Sequence, residues 1–183
     1  MLAATAILAI GLALPALRPG SGGAPPLEGA FDDFRLSDPP VPAPVAGFVA
    51  HGRGGAGSAV TLGDFAGRVV LLNFWATWCA PCVREMGSLD RLQSALAHRG
   101  LAVVAVSEDR GGLEQVAPFY REQGLDALEI YLDPEGGLRR AFGIAGLPTT
   151  FLIDSEGRLV GELRGAAEWD GPAARALIGR YLE

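Results

Sequence analysis

No lysine occurs in the 183 residues, so all fifteen basic side chains are arginines. Without lysine there is no Schiff-base nucleophile and no P-loop lysine to reach a nucleotide's phosphates. Histidine is limited to His51 and His98, and cysteine to Cys79 and Cys82. A structural zinc site wants four ligands, which this inventory does not gather in one stretch. Haem attachment wants a His directly after the second Cys, and Val83 stands there. Basic surface is also scarce. From Val45 onward, 13 Arg face 17 Asp plus Glu, a formal charge of −4 with neutral His. Such a balance argues against nucleic acid and against anionic lipid as partners, because both recruit basic patches.

Charge is missing altogether from one stretch. Leu2 to Leu17 runs sixteen residues without an ionisable side chain, a helical length of about 24 Å against a hydrocarbon core of about 30 Å. Residues 1–17 are therefore expected to be a signal peptide or an N-terminal membrane anchor, and the protein to be exported. No Lys or Arg precedes the run in this sequence, so a positive flank would have to come from a start further upstream. Small residues near Ala16 and Ala24 suit cleavage. Residues 18–44 are dense in proline and glycine and poor in aliphatics, a composition that cannot bury enough surface to fold alone. They are expected to be a linker reaching about 30 Å or more, which would tether a domain spanning 45–183.

Within that domain the apolar pattern alternates between strand and helix. Val69 to Trp75 is a short β-branched and aromatic run, expected to be a strand buried on both faces. Val83, Met86, Leu89, Leu92 and Leu96 then recur at helical spacing, and Gly100 is the expected stop. Leu101 to Ser107 reads as a second buried strand, giving a strand–helix–strand unit and a parallel pair. Further on, a helix is expected over Leu113 to Gln123, a strand over Leu128 to Leu132 and a short helix over Gly137 to Phe142. Two strands, Thr149 to Asp154 and Leu159 to Arg164, flank a turn. A last helix is expected to be capped by Asp170, with Pro172 in its first turn. Val45 to Ala50 and Ser58 to Leu62 suit an N-terminal hairpin. Gly52 to Gly57 fits a dinucleotide-binding spacing but opens no helix, so it reads as that hairpin's loop. Glu108 to Arg110 reads as a solvated, charged strand end.

Chemistry concentrates in "TWCAPCVRE", Thr77 to Glu85. Both cysteines fall where a buried strand hands over to a helix. A helix N-terminus presents unpaired N–H groups and the positive end of its dipole, which stabilise a thiolate. Cys79 is expected to be the reactive member and Cys82 the resolving one. A mere staple is a poor reading, because so short a loop removes little unfolded-state entropy. Peroxidatic chemistry would want a Thr three residues before its Cys, where Ala76 stands.

"NFWATWCAPC" followed by "GLPTTFLID" resembles the thioredoxin fold. The longer "VVLLNFWATWCAPCVREM" resembles the exported TlpA-like and ResA-like thiol-disulfide reductases. The resemblance covers Val45 to Glu183. It implies an α/β thioredoxin-like fold with an N-terminal hairpin and a central αβ insertion, the latter accommodated by the 65 residues between Cys82 and Pro148. It further implies a cis peptide at Pro148, with Leu147 offering its backbone to a substrate strand, and a surface shaped by Trp78, Ala80 and Pro81. Cytoplasmic thioredoxins carry a buried Asp six positions before the first Cys, where this chain has Asn73. Glu85, at a position where ResA-like proteins have an acid, is the candidate proton relay to Cys82; an exposed first-turn Glu is the plainer reading.

Function follows as an expectation. The protein is expected to be an extracytoplasmic, periplasmic enzyme that reduces disulfides in exported proteins, such as apocytochrome c or the copper proteins of oxidase assembly. It needs no cofactor beyond its own Cys79–Cys82 pair and no metal. An oxidising compartment would require a membrane thiol donor to rereduce it. An oxidase or isomerase, or a non-enzymatic copper-handling module, are the alternatives.

Overall fold

The computed structural model describes residues 31, 33–52 and 56–182. The expected leader or anchor at 1–17 lies outside these residues, as do all of 18–30 and positions 53–55 of the glycine-rich loop. Among the described residues no helix is long and apolar enough to cross a membrane.

Among the described residues eight strands and four α-helices build a mixed sheet with helices packed against it. The strands are β1 (Arg35–Pro42), β2 (Gly47–Ala50), β3 (Ser58–Thr61), β4 (Val69–Trp75), β5 (Leu101–Ser107), β6 (Tyr131–Leu132), β7 (Thr149–Ile153) and β8 (Arg158–Arg164). The helices are α1 (Ala80–Leu96), α2 (Leu113–Gln123), α3 (Gly137–Ala141) and α4 (Pro172–Gly179). Across the sheet the order is β1-β8-β7-β4-β5-β6-β2-β3. β4 and β5 are parallel through all seven registered pairs from Val69↔Leu101 to Trp75↔Ser107. β7 runs antiparallel to β4 on its other side.

Central β4 divides two apolar clusters, because successive side chains leave a strand on opposite faces. Val69, Leu71 and Trp75 join α1 and α4 through Met86, Leu89, Leu92, Leu177 and Ile178. Val70, Leu72 and Phe74 meet Phe142, Phe151 and Ile153 beyond the other face. Asn73 is the polar exception on β4, fully buried on the α1 side.

Several expectations shift. The linker over 18–44 is too long: β1 pairs antiparallel with β8, and Phe31 and Phe34 are buried in the core. Its prolines are tolerated because β1 is the last strand in the sheet order, where missing N–H groups cost no ladder bond. The strand expected over Leu128 to Leu132 shrinks to Tyr131–Leu132, because the N–H groups of Ala127 and Leu128 donate to the Asp90 carboxylate instead. Gly171, not Asp170, caps α4. The hairpin β2–β3, the parallel unit β4–α1–β5 and the added α2 stand as expected.

Candidate functional site

β4 delivers the chain to the site. After Trp75, the Cys79 N–H donates to the Ala76 carbonyl at 3.1 Å, closing a tight turn that places Thr77 and Trp78 at its corner. Cys79 then becomes the N-cap of α1, and its Sγ accepts from the Cys82 N–H at 3.3 Å. A free helix donor therefore points at the sulfur, which is what favours a thiolate there. Pro81 sits in the first helical turn, where its lost N–H has no partner to miss. Cys79 and Cys82 are joined as a disulfide, their Cα atoms 5.2 Å apart. Cys79 is 6% exposed and Cys82 fully buried, so the outer cysteine is the accessible one. Trp78 stands beside it 68% exposed, and Ala80 is also exposed.

Leu147 and Pro148 come to the same end of the sheet. Thr149 opposes Phe74 in the β7–β4 register, so the residue before it lies level with the end of β4. The Leu147–Pro148 peptide is cis, and the Pro148 carbonyl accepts from the Gly165 N–H at 2.9 Å. Leu147 is half-buried. A groove of about 300 Å³ opens beside this loop, walled by Phe142, Ile144, Leu147 and Pro148, with Glu162 and Arg164 on its lining.

Glu85 is not an exposed first-turn acid. It is 2% exposed and takes three hydrogen bonds: Asn73 Nδ2 to Oε1 at 2.8 Å, and the Ala167 N–H and Trp169 Nε1 to Oε2, both at 3.0 Å. Burial pushes its carboxyl up to about 7, against the three donors, which favour the charged form and pull it down. A group so placed exchanges a proton readily near neutral pH. Asn73 also donates to Thr150 Oγ1 at 2.9 Å, while its own Oδ1 is buried without a partner.

Two residues outside the expected set complete the site. Trp169 packs edge-on to Phe31 at 5.2 Å, and its indole also binds Glu85. Asp109 corrects the solvated-loop reading of Glu108 to Arg110: it is fully buried. Its carboxylate accepts from the Thr77 N–H (2.9 Å), Thr77 Oγ1 (2.8 Å), Ser107 Oγ (2.7 Å) and Gln115 Nε2 (2.7 Å). This ties the turn before Cys79 to β5 and α2. Neighbouring Glu108 is half-buried, and burial with the nearby Asp133 charge raises its carboxyl to about 7. Among the described residues no cluster of three His, Cys, Asp or Glu is placed to hold a metal ion.

Known proteins are similar to this chain in sequence and in fold. Residues 41–161 match the AhpC/TSA family. The chain is 34% identical over 109 residues to the thiol-disulfide oxidoreductase ResA of Bacillus thuringiensis subsp. konkukian, covering 60% of this chain and 62% of that one. It is 39% identical over 98 residues to ResA of Geobacillus thermodenitrificans, covering 54% and 55%. The matches thus span less than two thirds of these curated relatives. Among solved structures, a Chlorobium tepidum protein assigned as the thiol:disulfide interchange protein DsbE superposes with a TM-score of 0.67 at 30% identity, covering 78% of this chain and 98% of that one. The pneumococcal exposed lipoprotein thioredoxin of Streptococcus pneumoniae strain TIGR4 superposes with a TM-score of 0.61 at 28% identity, covering 74% and 99%.

Proposed function

The chain belongs to the AhpC/TSA family and has a thioredoxin-like fold, and from that premise we propose that it is a thiol-disulfide oxidoreductase that reduces disulfides of exported proteins. The observation that carries this reading is Cys79 at the N-cap of α1, with a helix N–H aimed at its sulfur and its partner Cys82 buried one turn deeper. The resemblance to TlpA-like and ResA-like reductases supports reduction as the direction, and similarity to proteins named thiol-disulfide oxidoreductase ResA and thiol:disulfide interchange protein DsbE supports the exchange chemistry. The substrates of choice are apocytochromes c or copper proteins of oxidase assembly. Likeness to a protein described as an exposed lipoprotein supports an extracytoplasmic, periplasmic setting with the chain tethered by its N-terminus.

In the reduced protein, the Cys79 thiolate attacks one sulfur of the substrate disulfide and releases the other as a substrate thiolate. The mixed disulfide rests against the Leu147–Pro148 loop and its groove, where the Leu147 backbone pairs with the substrate chain. Trp78, Ala80 and Pro81 form the rim that the substrate meets. Glu85, as carboxylate, takes the Cys82 proton, and the Cys82 thiolate attacks Cys79 Sγ. The Cys79–Cys82 disulfide closes and the second substrate thiolate leaves, so two electrons pass to the substrate. A dithiol donor at the membrane restores the reduced pair.

A Cys82→Ser variant expressed in an exporting host should hold partners through Cys79 as reductant-sensitive complexes, and a Cys79→Ser, Cys82→Ser double variant should hold none. Equal recovery from both variants rules out exchange through Cys79. A redox titration should place the pair near the thioredoxin couple, about −270 mV; a value near the DsbA couple, about −120 mV, makes it an oxidase instead.

A further inference from the structure

The segment after β8 folds back along α1 and closes over Glu85. Three α1 side chains at intervals of three, Glu85, Ser88 and Arg91, grip it in turn, as residues sharing one helix side can. Glu85 Oε2 accepts the Ala167 N–H and the Trp169 indole N–H. Ser88 Oγ accepts the Trp169 backbone N–H at 3.0 Å while donating to the Glu85 carbonyl at 2.8 Å. Arg91 binds Glu168 at 2.9 Å and Asp170 at 2.6 Å at the surface. Trp169 itself is fully buried, and Phe31 braces its ring from the far side. Its indole N–H is therefore delivered to the carboxylate at a fixed point. An indole can only donate, so this contact favours the ionised carboxylate over the neutral acid.

We propose that Trp169 is a positioning residue for the proton relay, its indole N–H holding Glu85 in the ionised form that receives the Cys82 proton. This rests on the relay role given to Glu85 above. The groups bonded to the Glu85 carboxylate are Asn73 on β4 and Ala167 and Trp169 on the closing segment, while Cys82 and Ser88 lie three residues before and after it on its own helix. Of these only Cys82 titrates when reduced. The charges of Arg91, Glu168 and Asp170 are paired with one another at the surface.

The test replaces the donor while keeping the shape. In Trp169→Phe, the titration of the Glu85 carboxyl, followed by carbon-13 NMR of the oxidised protein, should move upward by about one unit, the size of a lost charge-assisted hydrogen bond. If Trp169→Phe does not fold, benzothienylalanine at position 169, with sulfur in place of the N–H, serves the same purpose. The pH profile for reduction of oxidised glutathione by the reduced protein should move the same way. In a Glu85→Gln background, Trp169→Phe should add no further shift. An unmoved carboxyl titration in the folded variant overturns the role of Trp169 whatever the profile does. If the titration moves but Glu85→Gln leaves the pH profile intact, the relay itself fails, and with it a positioning role in that relay.

Discussion

Glu85 sits where an apolar side chain would cost less, and its three donors only partly offset the lost water. Its carboxyl, ordinarily near 4.5, is pushed up to about 7 by burial. Between those values the folded protein binds more protons than the unfolded chain, so stability falls as pH rises through that window. The penalty is absent below the ordinary value, complete above about 7, and worth at most about 3 kcal/mol. Glu85→Gln should therefore gain stability relative to the parent at pH 8 and not at pH 4, read from urea unfolding of the oxidised protein at both. Equal changes at the two pH values would show that the Glu85 carboxyl titrates alike in the folded and unfolded states. Residual slope in the variant belongs to Glu108, whose carboxyl is raised into the same window. Glu85 was legible as a candidate because it lies three residues past Cys82, at a position where the resemblance to ResA-like proteins implies an acid. Its indole partner lies 84 residues on in the chain, and no local pattern announces that contact.

Between elements, the tie that matters most to the site is Asp109. One carboxylate joins the turn after β4 to the end of β5 and the start of α2, through Thr77, Ser107 and Gln115. Asp109→Ala would leave the Ser107 hydroxyl proton without its acceptor in the interior and free the Thr77 turn. It should cost about 3 kcal/mol of stability and slow disulfide exchange at Cys79. Thr77→Ser should retain the rate that Thr77→Val loses. An Asp109→Ala protein with parental unfolding and parental kinetics would leave the tie without consequence. Arg91→Ala makes the contrast. Its side chain is 57% exposed, and loss of such a surface pair should cost less than about 1 kcal/mol. Elements themselves were readable where periodicity and punctuation agree: α1 ends through a short 3₁₀ turn at Gly100, and α2 ends at Gly124, with φ of 88° and 64° respectively. Asp109 was misread because a run of charges at a strand end resembles a solvated loop, and only the fold brings Thr77 and Gln115 to it. The strand expected at Leu128 failed for a similar reason, since Asp90 competes for its N–H groups from another element.

On the scale of the whole molecule, the domain's edge lies earlier than composition implies. Proline-rich sequence lacks the apolar density of a core strand, yet Phe31 and Phe34 anchor it, and an edge strand needs only one bonded side. Phe34 packs where β8 carries Gly161: a Cβ there would come within 2.5 Å of the Phe34 ring and 2.6 Å of the Arg35 carbonyl oxygen. That close approach is why β8 has a glycine at this point. Phe31, in turn, braces Trp169, so the N-terminal segment supports the residue that contacts Glu85. A chain cut to 45–183 should therefore lose the burial of two phenylalanines, about 3 to 6 kcal/mol, and leave β8 with an open edge prone to pairing with other chains. A chain cut to 31–183 should keep the parental stability. Gly161→Ala in the longer chain should reproduce part of the loss by displacing Phe34. Urea unfolding of the three proteins checks this, with light scattering to detect association through β8. Equal stability of 45–183 and 31–183 would return β1 to the status of a linker.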